Sequence, residues 1–173
     1  NYQGGIENSY ATGRVISTLN LSYNATAPNM NGVNKVGGLV GVNFGGQVLN
    51  SHATGNVRGN FNFTINSAAN VDYVYGTNKV GGFVGDGFYG VTDTSYATGA
   101  VSANTTIWND GQVNTDFTVG SFVGGLQGNH NGDYGGVLNS HASGVVSHDF
   151  TFNSDTIHTP QYFIKSAGGG LLG

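Results

Sequence analysis

The chain has 173 residues, of which 31 are glycine, 8% are charged and 38% are hydrophobic, and its formal net charge is −4. This composition excludes a disordered chain, which combines low hydrophobicity with high net charge, and the lack of cysteine excludes disulfides and thiolate metal sites. The five Lys and Arg residues are too few and scattered for nucleic-acid binding, and no apolar run is long enough to span a membrane as a helix.

A short serine-containing string recurs four times along the chain. It reads NSYATGRV at 8–15, NSHATGNV at 50–57, TSYATGAV at 94–101 and NSHASGVV at 139–146, with serines spaced 42, 44 and 45 residues apart. Small or apolar residues alternate with polar ones here, which predicts short half-buried strands. The residue after the serine alternates between tyrosine and histidine. The repeated positions are Ser9, Ser51, Ser95 and Ser140, followed by Tyr10, His52, Tyr96 and His141.

A longer and more aromatic stretch follows each serine string. In the second copy, apolar residues occupy alternate positions in 61–65 and again in 71–75, on either side of the polar sequence NSAAN. Period-two alternation predicts strands, and the polar sequence between them predicts a turn. Each copy therefore contains two long strands, and residues of this type favour strand over helix throughout the chain.

A glycine-rich block closes each copy. It reads KVGGLVG at 35–41, KVGGFVG at 79–85 and TVGSFVG at 118–124, and a degenerate SAGGGLLG ends the chain. Glycine accepts positive φ and lets backbones approach closely, so we predict stacked corners here. After the third block, QGNHNGDYGG is predicted to carry a six-residue insertion. The predicted corner glycines are Gly37, Gly38, Gly41, Gly81, Gly82, Gly85, Gly120 and Gly124.

The segment VGGLVGVNFGGQVLNSHATGNV, residues 36–57, resembles the GLUG motif, which is named for its Gly-Leu-hydrophobic-Gly core. This motif recurs in large bacterial surface proteins, including adhesins, filamentous-haemagglutinin-like exoproteins and the non-catalytic stalks of some secreted peptidases. The resemblance implies an extracellular location at the cell surface. It brings no catalytic residues with it.

The repeats predict an all-β fold, a β-solenoid or β-helix of four repeats of about 43 residues. The predicted units of this single array are about 1–41, 42–85, 86–124 and 125–173. One unit contains about 140 Å of extended chain, too long a perimeter for one coil filled by side chains. We therefore predict two coils per repeat, and one coil with a projecting or sheet-extending hairpin is the open alternative.

Two classes of function fit such an array. The first is a structural or adhesive segment, a rigid stalk or a filament subunit that stacks end to end; the second is a carbohydrate-binding or carbohydrate-active β-helix. The two ends match in phase, which predicts either head-to-tail stacking or a longer array. The expected partners are the chain itself and glycans or proteins on host or neighbouring cells, and no enzymatic activity or cofactor is expected.

Several residues are candidates for chemistry, and each also has a plain structural interpretation. His52 and His141 are possible metal ligands or bases, but tyrosine occupies their position in the sister copies, which favours ring stacking. Asp86 and Asp93 are candidates for the paired acids of glycoside hydrolysis, yet the other copies carry Val42 and Leu49 there. The inserted segment with His130, Asp133 and Tyr134 suggests a calcium loop or a glycine-rich turn.

Three further sets of residues recur or match a short pattern. A threonine rank is expected to form a structural ladder rather than an ice-binding face, an aromatic column is expected to stiffen the stack, and four N-glycosylation sequons have meaning only in a glycosylating organism. The threonine rank is Thr12, Thr54, Thr98 and Ser143; the aromatic column is Tyr2, Phe44, Phe88 and Tyr134; the sequon residues are Asn20, Asn24, Asn62 and Asn104.

Overall fold

The structure of the chain is a computed structural model that describes residues 1–66, 69–132, 135–155 and 161–173. These residues form nineteen β-strands and no helix. The prediction of an all-β fold is therefore confirmed. Within these ranges, no helix has the length and apolar character needed to cross a membrane.

The strands follow one another in four successive passes, which we call tiers. Tier 1 contains β1 (Gly5–Glu7), β2 (Tyr10–Ala11), β3 (Val15–Tyr23), β4 (Ala27–Gly37) and β5 (Val40–Phe44). Tier 2 contains β6 (Gln47–Leu49), β7 (His52–Ala53), β8 (Val57–Ile65), β9 (Asn70–Gly81) and β10 (Val84–Phe88). Tier 3 contains β11 (Val91–Asp93), β12 (Tyr96–Ala97), β13 (Val101–Asn109), β14 (Gln112–Gly124) and β15 (His130–Asn131). Tier 4 contains β16 (Gly136–Leu138), β17 (His141–Ala142), β18 (Val146–Ser154) and β19 (Gln161–Gly169).

Each strand pairs in parallel with its counterpart in the adjacent tier, which produces five stacked sheets. Their strand orders are β1-β6-β11-β16, β2-β7-β12-β17, β3-β8-β13-β18, β4-β9-β14-β19 and β5-β10-β15. In all five sheets the paired residues lie 42 to 45 positions apart in sequence. Stacked parallel strands of this kind are consistent with the predicted β-solenoid.

The pairing distance also fixes how many coils a repeat makes. No repeat supplies more than one described strand to any sheet, whereas two coils per repeat would pair residues about half as far apart, so the prediction of two coils is wrong. The alternative of one coil with a hairpin is closer to the structure. β8 and β9 run out and back, but they belong to different sheets and face each other across their side chains. The long perimeter therefore surrounds a flat core and not a round lumen.

The predicted position of the third glycine block is wrong by four residues. Gly81 pairs with Gly124, so the third block is FVGGLQG at 122–128 and not TVGSFVG. Gly120 pairs instead with Thr77, inside the long strand β14. The local string is similar in both places, but the corner and its backbone contacts occur only at the later one.

The loop after this block is correspondingly shorter than predicted. Phe88 pairs with Asn131, and Val91 pairs with Gly136, so tier 3 has two more residues than tier 2 between these positions. The six-residue insertion is therefore an insertion of two. Asp133 and Tyr134, which were assigned to a possible calcium loop, lie outside the described residues.

The hydrophobic core lies between the sheets and continues through the tiers. The largest cluster packs the inward side chains of β8 and β13 against those of β9 and β14, and Phe61, Phe63 and Phe117 are fully buried in it. A second cluster around Phe83 and Leu126 fills the space near the glycine corners. Each fully buried side chain of this size contributes about 1.5–3 kcal/mol, so the regular alternation in these strands drives the stack together.

A row of buried polar side chains runs through the stack beside these clusters. Asn34 Nδ2 donates to Asn78 Oδ1 at 2.9 Å, and Asn78 Nδ2 donates to Thr105 Oγ1 at 2.9 Å. Thr105 Oγ1 donates to Ser121 Oγ at 2.8 Å, and His148 Nε2 lies 2.8 Å from the same serine oxygen. The row satisfies its own polar atoms, and so it links all four tiers without the cost of unpaired burial.

His148, the member of this row in tier 4, is ionisable. Burial lowers the pKa of His148, and the neighbouring charge of Asp149 opposes that effect without cancelling it. The neutral imidazole is therefore the form that suits the contact with Ser121.

Candidate functional site

The repeated serines form a hydrogen-bonded ladder along the stack. The backbone N–H of Ser9 donates to Ser51 Oγ at 3.0 Å, that of Ser51 to Ser95 Oγ at 3.2 Å, and that of Ser95 to Ser140 Oγ at 3.0 Å. Each hydroxyl also donates to the carbonyl two residues earlier in its own tier. The residue before the serine is left-handed in all four tiers, with φ between 45° and 51°. Each copy thus repeats both the bond and the local backbone.

The next residue of each copy contributes to a column of stacked rings. Tyr10 and His52 have centroids 5.5 Å apart, His52 and Tyr96 are 4.8 Å apart, and Tyr96 and His141 are 5.3 Å apart, all close to parallel. Both histidines therefore lie against tyrosine rings. Within the described residues, no group of three or more His, Cys, Asp or Glu side chains could hold a metal ion.

The glycine corners bring adjacent tiers into backbone contact. A Cβ on Gly38 would lie 2.1 Å from the carbonyl oxygen of Gly82, and a Cβ on Gly82 would lie 2.0 Å from that of Gly125. No side chain fits at these distances. The preceding residues of these corners are also glycines that pair with one another, namely Gly37, Gly81 and Gly124. Just beyond the corner lie Gly41 and Gly85, where Cβ atoms would meet backbone atoms of β4 and β5.

A buried ion cluster occupies the space between β4, β9 and β10. The Asp86 side chain is 4% exposed, with Lys35 Nζ at 2.8 Å and Lys79 Nζ at 3.0 Å from its carboxylate oxygens. Asn129 Nδ2, from the tier above, donates to Asp86 Oδ1 at 2.8 Å. In tier 1, the residue that pairs with Asp86 is Val42.

The ionisation of Asp86 follows from these partners. Burial acts to raise the pKa of this carboxyl, but hydrogen bonds from Lys35 and Asn129, with the charge and hydrogen bond of Lys79, outweigh it and lower the pKa. Asp86 is therefore an ionised partner of two lysines. Asp93, its predicted partner, accepts hydrogen bonds from Thr94 and Asn139 in a different sheet.

The other predicted columns occupy the outer faces. Tyr2, Phe44 and Phe88 stack with centroid distances of 5.0 and 5.1 Å, and the register places Asn131 at the next position, while Tyr134, the predicted fourth member, lies outside the described residues. The threonine rank, Thr12, Thr54, Thr98 and Ser143, is solvent-exposed. Of the sequon residues, Asn62 donates to Asn20 at 2.7 Å, Asn24 contacts Asn66, and Asn104 lies half-buried on β13.

A cleft of about 370 Å³ opens on the outer face of β9 and β14, beside segment 129–131. Lys79 and Lys165 line it together with His130, whose Nδ1 lies 3.1 Å from Gln127 Nε2. Sequence reasoning missed this cleft because its residues come from three tiers. The signal was the replacement of a side chain by Gly120 within a strand.

One comparison with known proteins supplies a relationship. The family model of the GLUG motif matches residues 32–58, so the chain carries this motif. The matched segment covers the end of β4, the glycine corner, β5 to β7 and the start of β8. Searches of curated proteins and of solved structures found no match.

Proposed function

We propose that the chain is a non-catalytic, extracellular structural and adhesive segment, a rigid stack of GLUG-type repeats that associates end to end with equivalent repeats. The observation that carries the proposal is the serine ladder, which continues in the same sense through all four tiers. A function based on length and contact needs this regularity, whereas a catalytic site needs residues that break it.

The two edges of the stack are complementary. At the upper edge, the N–H of Ser140 has no acceptor among the described residues, although its counterparts all donate upwards. At the lower edge, Ser9 Oγ has no described donor from a lower tier, although Ser51, Ser95 and Ser140 each accept one. A second copy placed above the first would therefore continue the ladder from Ser140 to Ser9.

The ring column continues across the same junction. Its order is Tyr10, His52, Tyr96 and His141, so a following copy would place a tyrosine on His141 and preserve the alternation. Open strand edges of this kind are templates for pairing with another chain. Tyr10, 69% exposed, and the exposed His141 also provide rings on which sugars or partner proteins can stack.

Electron microscopy of the purified chain at increasing concentration tests the end-to-end contact. We expect rods that lengthen with concentration in steps of about 19 Å, which is four tiers at the strand spacing. Chains that remain single at high concentration would contradict this part of the proposal. Binding of the labelled chain to cell surfaces or glycan arrays tests the adhesive part separately.

An edge variant sharpens the microscopy. Val15 N–H donates to Asn56 O in tier 2, so the N–H of the next residue, Ile16, points to the open lower edge. Ile16→Pro removes that donor without removing a bond within the chain, and Pro is tolerated on edge strands. It should give single particles, whereas the matched Ile16→Thr variant should still form rods.

A further inference from the structure

The cleft on β9 and β14 departs from the even repetition of the rest of the surface. One set of paired residues in successive tiers is Val33, Thr77, Gly120 and Lys165, and the last three of these line the cleft. Gly120 has no side chain, and the Phe122 ring, 2.9 Å from where a Cβ of Gly120 would lie, fills part of the notch between Thr77 and Lys165, whose backbones are about 10 Å apart along the stack. The notch is part of the cleft.

Thr77 brings an unsatisfied group to this notch. The residue is only 4% exposed, and its hydroxyl oxygen has no hydrogen-bond partner among the described residues. A buried hydroxyl without a partner is unfavourable, and natural structures rarely keep one without a reason. Val33 at the same rank shows that the fold accepts an apolar residue of the same shape. The hydroxyl therefore indicates a missing partner in the cleft.

The charge around the cleft is positive. Lys79 shares the single carboxylate of Asp86 with Lys35, which leaves one positive charge uncompensated. Lys165 is exposed, and no described residue pairs with its ammonium group. No acidic residue is among the described residues that line the cleft. The ligand that suits this lining carries a negative charge.

The remaining lining is rich in neutral polar groups. Thr118 and Asn131 stand beside the charged residues, and the Tyr75 side chain forms part of the wall. Hydroxyl, amide and phenol groups together suit a ligand that carries several hydroxyls, and an aromatic wall suits the face of a sugar ring. Charge and hydroxyl recognition thus occur in the same cleft.

We propose that the cleft binds a small hydroxylated carboxylate, the chemistry of a hexuronic acid, either as a free acid or as the end of an acidic saccharide. The carboxylate lies near Lys165 and Lys79, and a ligand hydroxyl pairs with Thr77. The repeat array then has one ligand site, built where tier 3 interrupts the pattern with Gly120.

Calorimetric titration of the full chain tests the site with four probes: sodium glucuronate, a hexuronate oligosaccharide, glucose and inorganic phosphate. Glucuronate or the oligosaccharide should bind saturably, and glucose should bind at least about tenfold more weakly because it lacks the charge. Tighter binding of the oligosaccharide assigns the ligand to a saccharide end, and equal binding assigns it to the free acid. Stronger binding of phosphate or glucose, or no saturable binding of either uronate, would overturn the proposal.

Variants connect any binding to the cleft. Lys165→Gln should weaken glucuronate binding about tenfold. Thr77→Val, which keeps the shape of the side chain, should weaken it about fivefold. Arg14→Gln removes the same charge on the opposite side of the repeat, in contact with neither lysine, and should leave the affinity unchanged. An affinity of Lys165→Gln equal to that of Arg14→Gln would show that the binding is not at this cleft.

Discussion

Replacement of Asp86 by asparagine is the most direct test of the buried ion cluster. The change leaves Lys79, 14% exposed, and Lys35, 33% exposed, beside a neutral amide. Breaking a fully buried ion pair costs about 3–5 kcal/mol of stability, and the partial exposure of Lys35 reduces this cost. We therefore expect the free energy of unfolding to fall by about 3 kcal/mol. For a chain of this length that corresponds to a fall of roughly 6–12 °C in melting temperature.

The pH dependence gives a second reading of the same residue. Because the pKa of Asp86 is lowered in the folded chain, its contribution is present above the unfolded value of about 3.9 and is lost as the pH falls through the folded value. The wild-type chain should therefore lose stability below about pH 4, and Asp86→Asn should lose less over that interval.

Urea unfolding followed by circular dichroism, at neutral pH and in acid, measures both effects. Asp93→Asn is the matched control, since it makes the same change in charge seven residues further along the chain, at a half-exposed position in tier 3. The control substitution should lower the free energy of unfolding by no more than about 1 kcal/mol. If the two variants have the same unfolding free energy at neutral pH, the cluster does not stabilise the fold.

Three further predictions concern the backbone and the polar row, and thermal or urea unfolding tests each of them. Thr94 is a β-branched residue at φ 49°, so Thr94→Asn should raise the free energy of unfolding by about 1 kcal/mol. Asn50→Thr, at the equivalent position of tier 2, should lower it by a similar amount. No change in either variant would show that the backbone is not strained at this position. Gly82→Ala places a Cβ 2.0 Å from a carbonyl oxygen and should cost at least about 3 kcal/mol, whereas Gly5→Ala, with open space around it, should cost under about 1 kcal/mol. The pKa of His148 is lowered by burial, so stability should fall as the pH drops below about 6.5, and His148→Ala should lessen that fall.

Much of the fold is readable from the sequence because the stack is in register. Identical strings fall at identical ranks, as at Ser9 and Ser51, and period-two alternation marks the strands. The number of coils was not readable, because the perimeter argument assumes a round lumen. Phe61 and Phe117 instead meet across two facing sheets, and a flat core can have a long perimeter.

String similarity misplaced the third corner for a different reason. TVGSFVG at 118–124 and FVGGLQG at 122–128 both resemble the glycine block, and only the contacts between tiers distinguish them. Gly125 is required because a Cβ there would lie 2.1 Å from a carbonyl oxygen, whereas a Cβ at Gly120 would first meet the ring of Phe122 at 2.9 Å. The sequence alone does not show where the backbones of adjacent tiers come this close.

The ion cluster and the cleft were beyond sequence reasoning because each crosses tiers and corners. Asp86 follows Lys79 by seven residues but faces it only after the chain turns at the corner, and Asn129 joins from the tier above. The available signal was an aspartate at a rank where tier 1 has Val42, opposite two aligned lysines. A charge at an otherwise apolar rank is a useful clue in repeat proteins.

The parallel register has a mechanical consequence. Hydrogen bonds between tiers point along the stack, so tension along that axis is shared by all the bonds of one interface. Successive interfaces are in series, and each of them bears the full force. Rupture then requires a whole interface to open at once. The interface with the fewest paired residues sets the strength, and among the described residues this is the one between tiers 3 and 4, because the sheet formed by β5, β10 and β15 has no strand from tier 4.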